Sequence, residues 1–311
     1  MGDTGAVRAP RPVVVVGPTA TGKSELAVEL ALGIGGEVIN ADSMQLYRGM
    51  DIGTAKLPLD QRRGVPHHLL DVLDVTERAS VAAYQRAARS QVAECQARGA
   101  VPVLVGGSGL YVRAVLDRLD FPGTDPVIRA RLEAELAELG PAALHERLVA
   151  VDPTSAATIL ATNGRRIVRA LEVVEVTGKP FTARLPAHEP QQFLAATVIG
   201  LAAERTALHE RIASRVDGMW AAGFVDEVRA LDRRGLRAGV TASRALGYRQ
   251  VLELLDGVRD DADARAATVR ATRQFARRQA TWFRADPRVT WLPSDAPDLR
   301  ALALATIGPD R

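Results

Sequence analysis

Short apolar runs alternate with helix-length amphipathic segments through the first third of the chain. The run Val13–Val16 is followed by a helical pattern over 23–33, and Glu37–Ala41 is followed by helical periodicity over 79–98 and by a third run, Val101–Val105. Runs of this length, separated in this way, predict buried β-strands connected by helices. The expected fold is therefore α/β, a parallel sheet with right-handed crossovers and flanking helices.

The pattern changes after Asp120, where Pro and Gly interrupt the chain. Helical patterns then follow one another without a strand between them, over 129–138, 141–150, 153–160 and 164–177. We therefore predict that residues 121–194 form a helical insertion into a core made of residues 1–120 and 195–311. Its predicted exit is marked by turn-forming residues, at Gly178–Pro180 and Pro186–Pro190.

The last third of the chain returns to the α/β pattern. Thr197–Leu201 has the composition of a buried strand, and helical patterns follow it over 204–234 and 241–256. A long helix is predicted over 262–284, ending before a proline, and Val289–Leu292 is a candidate last strand of the sheet.

The segment between the first strand and its helix has the pattern G-x-x-x-x-G-K-S. It consists of Gly17, Pro18, Thr19, Ala20, Thr21, Gly22, Lys23 and Ser24. In this context the pattern predicts a P-loop, whose backbone N–H groups surround a di- or triphosphate at a helix N-terminus. Lys23 would bring a compact ammonium to the phosphate, and the Ser24 hydroxyl would be a ligand for Mg²⁺. The sheet is thus expected to be P-loop NTPase-like.

Polar loops also follow the second and third predicted strands, at Asp42 and at Ser108. Because ligands gather at the carboxyl ends of parallel strands, both loops should share one edge of the sheet with the P-loop. Asp42 could bind Mg²⁺, accept a proton from a nucleophile, or cap a turn. Ser108, between glycines, could contact a ligand or belong to a tight turn without one.

Other polar residues have an open role at this point. Lys56 could approach a phosphate or cap a helix. Adjacent histidines such as His67 and His68 point apart, and no Cys or His partners lie at metal-ligand spacing, so a structural role is favoured over a metal site.

Composition narrows the class of protein. Apolar residues make up 47% and aromatic residues 4% of 311 positions, so the core must be mostly aliphatic. The apolar runs are too short to span a bilayer, residues 1–11 lack the apolar segment of a secretory signal, and Cys95 is the only cysteine. The expectation is a cytoplasmic protein without disulfides or a contact with the membrane.

The net charge of +3 neither requires nor excludes a nucleic acid partner, but the arginines are clustered. One cluster is Arg165, Arg166 and Arg169, and a second lies in 265–284, where arginines alternate with Trp282 and Phe283. Basic and aromatic side chains on one helix suit RNA. The alternative is a helix whose aromatic face packs in the core while its arginines face solvent.

Taken together, these motifs resemble the bacterial tRNA dimethylallyltransferases, also called tRNA isopentenyltransferases. The similarity runs in order through nearly the whole chain, with matching segments at 17–24 (GPTATGKS), 40–56 (NADSMQLYRGMDIGTAK), 65–72 (VPHHLLDV), 106–111 (GGSGLY), 165–173 (RRIVRALEV), 215–220 (RVDGMW), 247–250 (GYRQ) and 272–283 (TRQFARRQATWF). Small departures include Ser108 in place of a usual threonine, and Phe275 and Arg277 in place of tyrosine and lysine.

The resemblance implies transfer of a dimethylallyl group from dimethylallyl diphosphate to N6 of the adenosine 3′ to the anticodon (position 37), in tRNAs that read codons starting with U. The P-loop would then hold the diphosphate leaving group, with Mg²⁺ as cofactor, and the insertion would grip the anticodon stem-loop. Asp42 would be the catalytic base. Lys23 and Ser24 would be the other catalytic residues, which stabilise the leaving group directly and through Mg²⁺. We expect the enzyme to be a monomer.

The resemblance and the basic helix together imply a set of tRNA contacts. These are Asp42, Ser43, Met44, Gln45, Ser108, Arg129, Arg165, Arg166, Ile167, Val168, Arg169, Arg277, Arg278 and Gln279. Three rival functions remain to be weighed: a small-molecule kinase, an enzyme that prenylates free adenine nucleotides, and a tRNA-binding protein without catalysis.

Overall fold

In a computed structural model, residues 9–181 and 191–308 are described; the predicted exit at Pro186–Pro190 lies outside them. Six parallel strands form one sheet in the order β3-β2-β4-β1-β5-β6. They are β1 (Val13–Val16), β2 (Gly36–Asn40), β3 (His67–His68), β4 (Val101–Val105), β5 (Thr197–Ala202) and β6 (Val289–Pro293). The predicted fold class is confirmed, and only the two-residue edge strand β3 was missed, since it is too short to show a period.

In chain order the helices are α1 (Lys23–Ile34), α2 (Val81–Ala97), α3 (Gly109–Leu116), α4 (Pro126–Val151), α5 (Pro153–Thr158), α6 (Gly164–Thr177), α7 (Arg205–Ala221), α8 (Phe224–Arg233), α9 (Tyr248–Leu255), α10 (Asp261–Arg284) and α11 (Leu299–Ile307). Of these, α1 and α11 pack on one face of the sheet, and α2, α3 and α10 pack on the other. Within the part of the chain that is described, none of these helices combines the length and hydrophobicity that crossing a bilayer would require.

Strand β1 lies at the centre of the sheet and is buried along its whole length. Val13 and Val15 pack on one face with residues of α1 and α11, while Val14 and Val16 pack on the other with residues of α2, α3 and α10. A parallel strand covered on both faces is apolar throughout rather than alternating. The same burial explains why the P-loop that follows β1 begins from a rigid position.

The helical boundaries differ from the sequence patterns at a few points. The patterns over 129–138 and 141–150 correspond to the two halves of α4, which are separated at Gly140, where the backbone is not helical, before Pro141. The pattern over 204–234 is divided into α7 and α8. Helix α11 was not predicted; its Leu302 and Ala303 pack against the cluster around α1, so the apolar character of this segment is used in the core.

The chain divides into two compact units, residues 1–117 with 192–311 and residues 118–191. These boundaries lie three residues from those predicted. The second unit has a core of its own, formed mainly by α4 and α6, with Leu132, Leu148 and Ile167 fully buried. The helical segment therefore buries its own apolar faces.

Candidate active site

The P-loop and the loops after β2 and β4 meet at one edge of the sheet, as their positions after parallel strands predicted. They line a cavity of about 280 Å³ that includes 19–25, Asp42, Gly106 and Gly107. Arg215 of α7 and Phe275 of α10 close its sides. Phosphate-binding backbone, a cation and a carboxylate are thus brought together in one space.

Lys23 folds back onto its own loop. Its Nζ donates a hydrogen bond to the carbonyl oxygen of Pro18 at 2.6 Å, and the Thr21 hydroxyl donates to the same oxygen at 2.8 Å. Burial and the charge of Arg215 lower the pKa of Lys23 from 10.5 to about 7, and the charge of Asp42 opposes the shift. An anion in the cavity would reverse this balance and favour the charged ammonium.

Gln279 of α10 connects two of the three loops. Its Oε1 accepts a hydrogen bond from the Thr19 N–H at 2.9 Å, and its Nε2 donates to the Gly107 carbonyl at 3.0 Å. A Cβ on Gly107 would collide with this amide, which explains the glycine. Gln279 is 5% exposed. Its amide holds the P-loop against the β4 loop, so the predicted tRNA contact would compete with these two hydrogen bonds.

Asp42 has both a structural and a potential chemical role. Its Oδ1 accepts a hydrogen bond from the Met44 N–H at 2.9 Å, and its own N–H donates to Asn40 Oδ1 at 2.9 Å. It therefore caps a turn, as one interpretation of the sequence proposed. Burial raises the pKa of the Asp42 carboxyl, while the Met44 N–H and Lys23 oppose the shift. A raised pKa makes the ionised carboxylate a stronger base for accepting a proton.

A second cavity of about 330 Å³ adjoins the first. It is lined by Ser43, Met44, Ser108, Arg244 and Arg278, and by residues of α9 and α10. Residues shared by both cavities mark their junction: Thr19, Asp42, Thr54, Ala55, Arg215 and Phe275. The carboxylate therefore lies where the phosphate cavity opens into the second one.

Ser108 lines the second cavity and contacts the loop after β2. Its hydroxyl oxygen accepts a hydrogen bond from the Ser43 N–H at 3.3 Å and lies 3.4 Å from the Ser43 hydroxyl. Gln45 donates from Nε2 to the Thr54 carbonyl at 3.1 Å. Of the predicted contact residues, Asp42, Ser43, Met44 and Ser108 are thus gathered around the second cavity, whereas Gln45 lines the first.

Arg215 was not recognised as a site residue from the sequence. Its Nη1 donates a hydrogen bond to the Thr19 hydroxyl at 3.0 Å, and its side chain lines both cavities. It lies in an amphipathic helix, where arginine is common, so composition offered no signal. The sequence pointed to Arg215 through the segment 215–220, which is one of the segments that match the family.

Lys56 and the adjacent histidines have structural roles. Lys56 Nζ donates to Asp51 Oδ1 at 2.5 Å and to Asp71 Oδ1 at 2.6 Å, so its charge is neutralised although it lines the phosphate cavity. His68 Nε2 lies 2.6 Å from Glu37 Oε2, which also accepts a hydrogen bond from Arg98 at 2.7 Å. Cys95 is near enough to complete a ligand set, but the Arg98 guanidinium already supplies the cation.

Two predicted contacts in the insertion are corrected by burial. Ile167 and Val168 are 0% and 1% exposed and belong to the apolar core of this unit, so their side chains cannot reach an RNA. They alternate with arginines because α6 presents one face to its core and another to solvent. Arg165 is exposed and Arg166 is half-buried.

Arg129 and Arg169 form ion pairs with a buried carboxylate. Arg129 donates hydrogen bonds from Nε and Nη2 to the carboxylate of Glu172, which is 0% exposed. Arg169 donates to the same carboxylate at 2.7 Å. Arg169 also donates to the Pro122 carbonyl at 2.7 Å. The expected tRNA contacts of these two arginines therefore compete with a structural ion pair.

Arg277 and Arg278 are both exposed, but they face different sides of α10. Arg278 lines the second cavity beside Asp42. Arg277 instead lines a separate groove of about 410 Å³ together with Arg205, Arg273 and Arg284. Neighbouring residues on a helix point about 100° apart, so a single basic cluster in the sequence becomes two in the structure.

The phosphate cavity has suitable oxygen donors for Mg²⁺. Ser24 and Asp42 both line it, and a hydroxyl or one carboxylate combined with phosphate oxygens and water is the usual environment of this ion. The donor set of the site therefore fits a magnesium–diphosphate complex.

Binding of diphosphate should be accompanied by proton uptake at pH 8. In the free protein the pKa of Lys23 is about 7, so its amine is mostly neutral at pH 8, and an anion beside it favours the charged form. We expect roughly one proton to be taken up by Lys23 per diphosphate bound. Titration calorimetry in buffers of different ionisation enthalpy measures this number. Lys23→Met is the control, since it retains the proton exchange of diphosphate itself; equal uptake by both proteins would refute the prediction.

Comparison with known proteins agrees with this geometry. The family model described as "IPP transferase" matches residues 45–286. A tRNA dimethylallyltransferase of Thermobifida fusca is 66% identical over 299 residues, which cover 94% of this chain and 93% of that protein. The crystal structure of a full-length tRNA isopentenylpyrophosphate transferase of Bacillus halodurans is 40% identical, with a TM-score of 0.69 and 96% of each chain covered.

A structure of a eukaryotic dimethylallyltransferase acting on tRNA is also similar, with 26% identity and a TM-score of 0.79 over 95% of this chain and 77% of that chain. The family model begins just after the Asp42 loop and includes the helix that carries Gln279. The chain therefore belongs to the IPP transferase family, that of the tRNA dimethylallyltransferases.

Proposed function

We propose that the protein, a cytoplasmic monomer, transfers the dimethylallyl group of dimethylallyl diphosphate to N6 of adenosine 37 in tRNAs that read codons starting with U. The observation that supports this most directly is the position of Asp42. It lies at the junction between a phosphate cavity and a second cavity lined by Arg244 and Arg278. The prenyl donor in the first cavity and the adenine in the second would meet at this carboxylate.

The phosphate cavity suits the diphosphate of the donor. As the bond between the allylic carbon and the diphosphate oxygen breaks, negative charge grows on the leaving group, and fixed N–H groups and cations stabilise it. The P-loop N–H groups, Lys23 and Arg215 would supply these interactions. Mg²⁺, held by the Ser24 hydroxyl and the diphosphate, would neutralise part of the same charge.

The second cavity suits an extruded adenine. The lone pair of the N6 amine is delocalised into the ring, so removal of a proton as the new C–N bond forms assists the reaction. Asp42 would accept this proton. An allylic cation reacts readily with water, so the adenosine must leave the anticodon loop and enter an enclosed space. Ser43, Met44 and Ser108 would line that space beside the base.

The rival functions predict different reactions in the same cavities. A kinase would transfer a phosphoryl group from ATP, and the site would then use Asp42 on a hydroxyl substrate. An enzyme acting on free adenine nucleotides would need no RNA-binding arginines around the second cavity. A tRNA-binding protein without catalysis would not need a cationic P-loop joined to a carboxylate.

One experiment separates these alternatives. Purified protein and Mg²⁺ are incubated with unmodified tRNA and either dimethylallyl diphosphate or ATP, and free AMP replaces tRNA in a third reaction. Nucleosides from digested RNA are then analysed by mass spectrometry. We expect dimethylallyladenosine only with tRNA and the allylic donor. Phosphoryl transfer from ATP, or equal prenylation of AMP, would refute the proposal.

Arg278→Gln should weaken tRNA binding more than Arg277→Gln does. Arg278 lines the cavity beside Asp42, whereas Arg277 faces the separate groove on the other side of α10. Loss of one phosphate contact should reduce the slope of log K against log salt by about 0.7–0.9. Filter binding of the anticodon stem-loop across a salt series measures this slope. Equal slopes for wild type and Arg278→Gln would mean that Arg278 does not contact phosphate.

A further inference from the structure

The segment 51–56 forms a wall of the candidate site. Thr54 and Ala55 line both cavities and therefore stand, like Asp42, at their junction. The Thr54 carbonyl accepts the hydrogen bond from Gln45, so the position of this wall also affects the Asp42 loop. Whatever holds the segment in place controls the space in which donor and acceptor would meet.

One carboxylate holds the beginning of this segment. Glu227, on α8, accepts hydrogen bonds from three consecutive backbone N–H groups: Asp51 at 3.1 Å, Ile52 at 2.6 Å and Gly53 at 3.2 Å. Its Oε1 also accepts a hydrogen bond from the Tyr248 hydroxyl at 2.6 Å. Four donors converge on the two oxygens of a half-buried side chain. Bonds to a charged acceptor are stronger than neutral ones, so the loop backbone is firmly fixed.

The surroundings leave the segment little freedom. A Cβ on Gly53 would collide with the rings of Phe224 and Tyr248, so the backbone lies directly against these two buried side chains. At the other end of the segment, Lys56 is held by Asp51 and Asp71. Thr54 and Ala55 thus lie between two charged anchors, Glu227 and Lys56, and Glu227 itself is not among the residues that line the two cavities.

We propose that Glu227 is a positioning residue for prenyl transfer: through the N–H groups of 51–53 it holds Thr54 and Ala55 against the reacting atoms and keeps water out of the junction. This inference rests on the proposed function. Nothing in the sequence singles out Glu227, which is one acidic residue among several on an amphipathic surface helix. The function arises from three N–H groups 174 to 176 positions away along the chain.

The position of this wall should determine how the donor is divided between transfer to N6 and hydrolysis by water. In productive turnover the N6 nitrogen forms a bond to the allylic carbon, the bond to the diphosphate oxygen breaks, and the amine proton goes to Asp42. If the wall moves, a water oxygen can attack the same carbon, which gives dimethylallyl alcohol and diphosphate while one proton is released. Loss of Glu227 should therefore increase hydrolysis of the donor relative to transfer.

The test compares Glu227→Gln with wild type in the presence of unmodified tRNA, Mg²⁺ and radiolabelled dimethylallyl diphosphate. The amide is isosteric but replaces one acceptor oxygen by an NH₂ group that faces backbone donors. We expect kcat for transfer to fall about 10–100-fold, since displacement by a fraction of an ångström is costly in a bond-forming step. The ratio of alcohol to prenylated tRNA should rise, while the KM for tRNA stays within about twofold of the wild-type value.

The matched control is Asp226→Asn on the same helix. Asp226 is exposed, and its ion pair with Arg229 lies at the surface, so this variant should keep the wild-type product ratio. Circular dichroism and thermal unfolding establish that each variant is folded. If Glu227→Gln does not fold, Tyr248→Phe replaces it, because that change removes one of the four hydrogen bonds and retains the ring; a smaller rise in the ratio is then expected.

The outcomes are distinct. If folded Glu227→Gln has the wild-type kcat and the wild-type ratio of alcohol to prenylated tRNA, the role of Glu227 is refuted. If that variant is unfolded, an unchanged ratio in Tyr248→Phe refutes it instead. Either result leaves the proposed function intact. If wild type itself produces no prenylated tRNA, the proposed function is refuted, and the inference with it.

Discussion

Replacement of Asp42 by asparagine is expected to lower kcat for tRNA prenylation by about 10²–10⁴-fold. The asparagine side chain keeps an oxygen that can accept the hydrogen bond from Met44, so the turn after β2 should be retained. What is lost is the negative charge and the capacity to take a proton at the junction of the two cavities. The KM for dimethylallyl diphosphate should change less than kcat, because the P-loop N–H groups, Lys23 and Arg215 still surround the diphosphate.

The pH profile makes this prediction more specific. The pKa of Asp42 is raised by burial, and the base must be ionised to act, so wild-type kcat should rise as the pH increases through this raised value. The asparagine variant should lack this rise. Single-turnover assays from pH 5 to 8 measure it, with Asp226→Asn as the surface control. A variant with wild-type turnover and the same acid limb would exclude Asp42 as the base.

Replacement of Lys23 by methionine should reduce kcat by about 10²–10³-fold and also weaken diphosphate binding. Methionine approximates the length of the lysine stem but removes the ammonium that would follow the charge growing on the leaving group. Lys23 Nζ donates a hydrogen bond to the Pro18 carbonyl of its own loop, so replacement of Lys23 should disturb the fold little. Rapid-quench kinetics for transfer and calorimetry with diphosphate measure the two effects.

Lys23→Arg is the informative comparison for this position. It restores a positive charge, but a planar guanidinium does not fit between P-loop phosphate oxygens as a compact ammonium does. We therefore expect it to recover part of the diphosphate affinity and little of the rate. Wild-type rates in Lys23→Met would show that the P-loop backbone and Arg215 are sufficient, and that Lys23 has no part in the leaving-group step.

Much of the fold could be predicted because its signals are local. The central strands are continuous apolar runs, since a parallel strand buried on both faces has no polar side. The edge strand β3 could not be found in this way, because two residues that pair only with β2 carry no period. Helix α11 was missed because its apolar residues were not assigned to a face of the sheet until α1 was seen to pack against them.

The site shows the same division between local and long-range information. The P-loop and the loops at Asp42 and Ser108 were placed together correctly, because the ends of parallel strands always share an edge. The burial of the Gln279, Ile167 and Val168 side chains was not predicted. Each lies within a basic stretch of sequence, but a helix turns neighbouring residues to different faces, and these three face protein rather than solvent.

Local sequence was sufficient to predict a phosphate ligand, since a glycine-rich turn between a strand and a helix is typical of a phosphate site. It was also sufficient for the α/β fold class and for five of the six strands. Three features could be recognised only in the folded protein. They are the closure of the site by Arg215 and Gln279, the neutralisation of Lys56, and the anchoring of the segment 51–56 by Glu227. Each of these depends on side chains or backbone groups far apart in the chain, and their distances are set by packing of the core rather than by any pattern of neighbours.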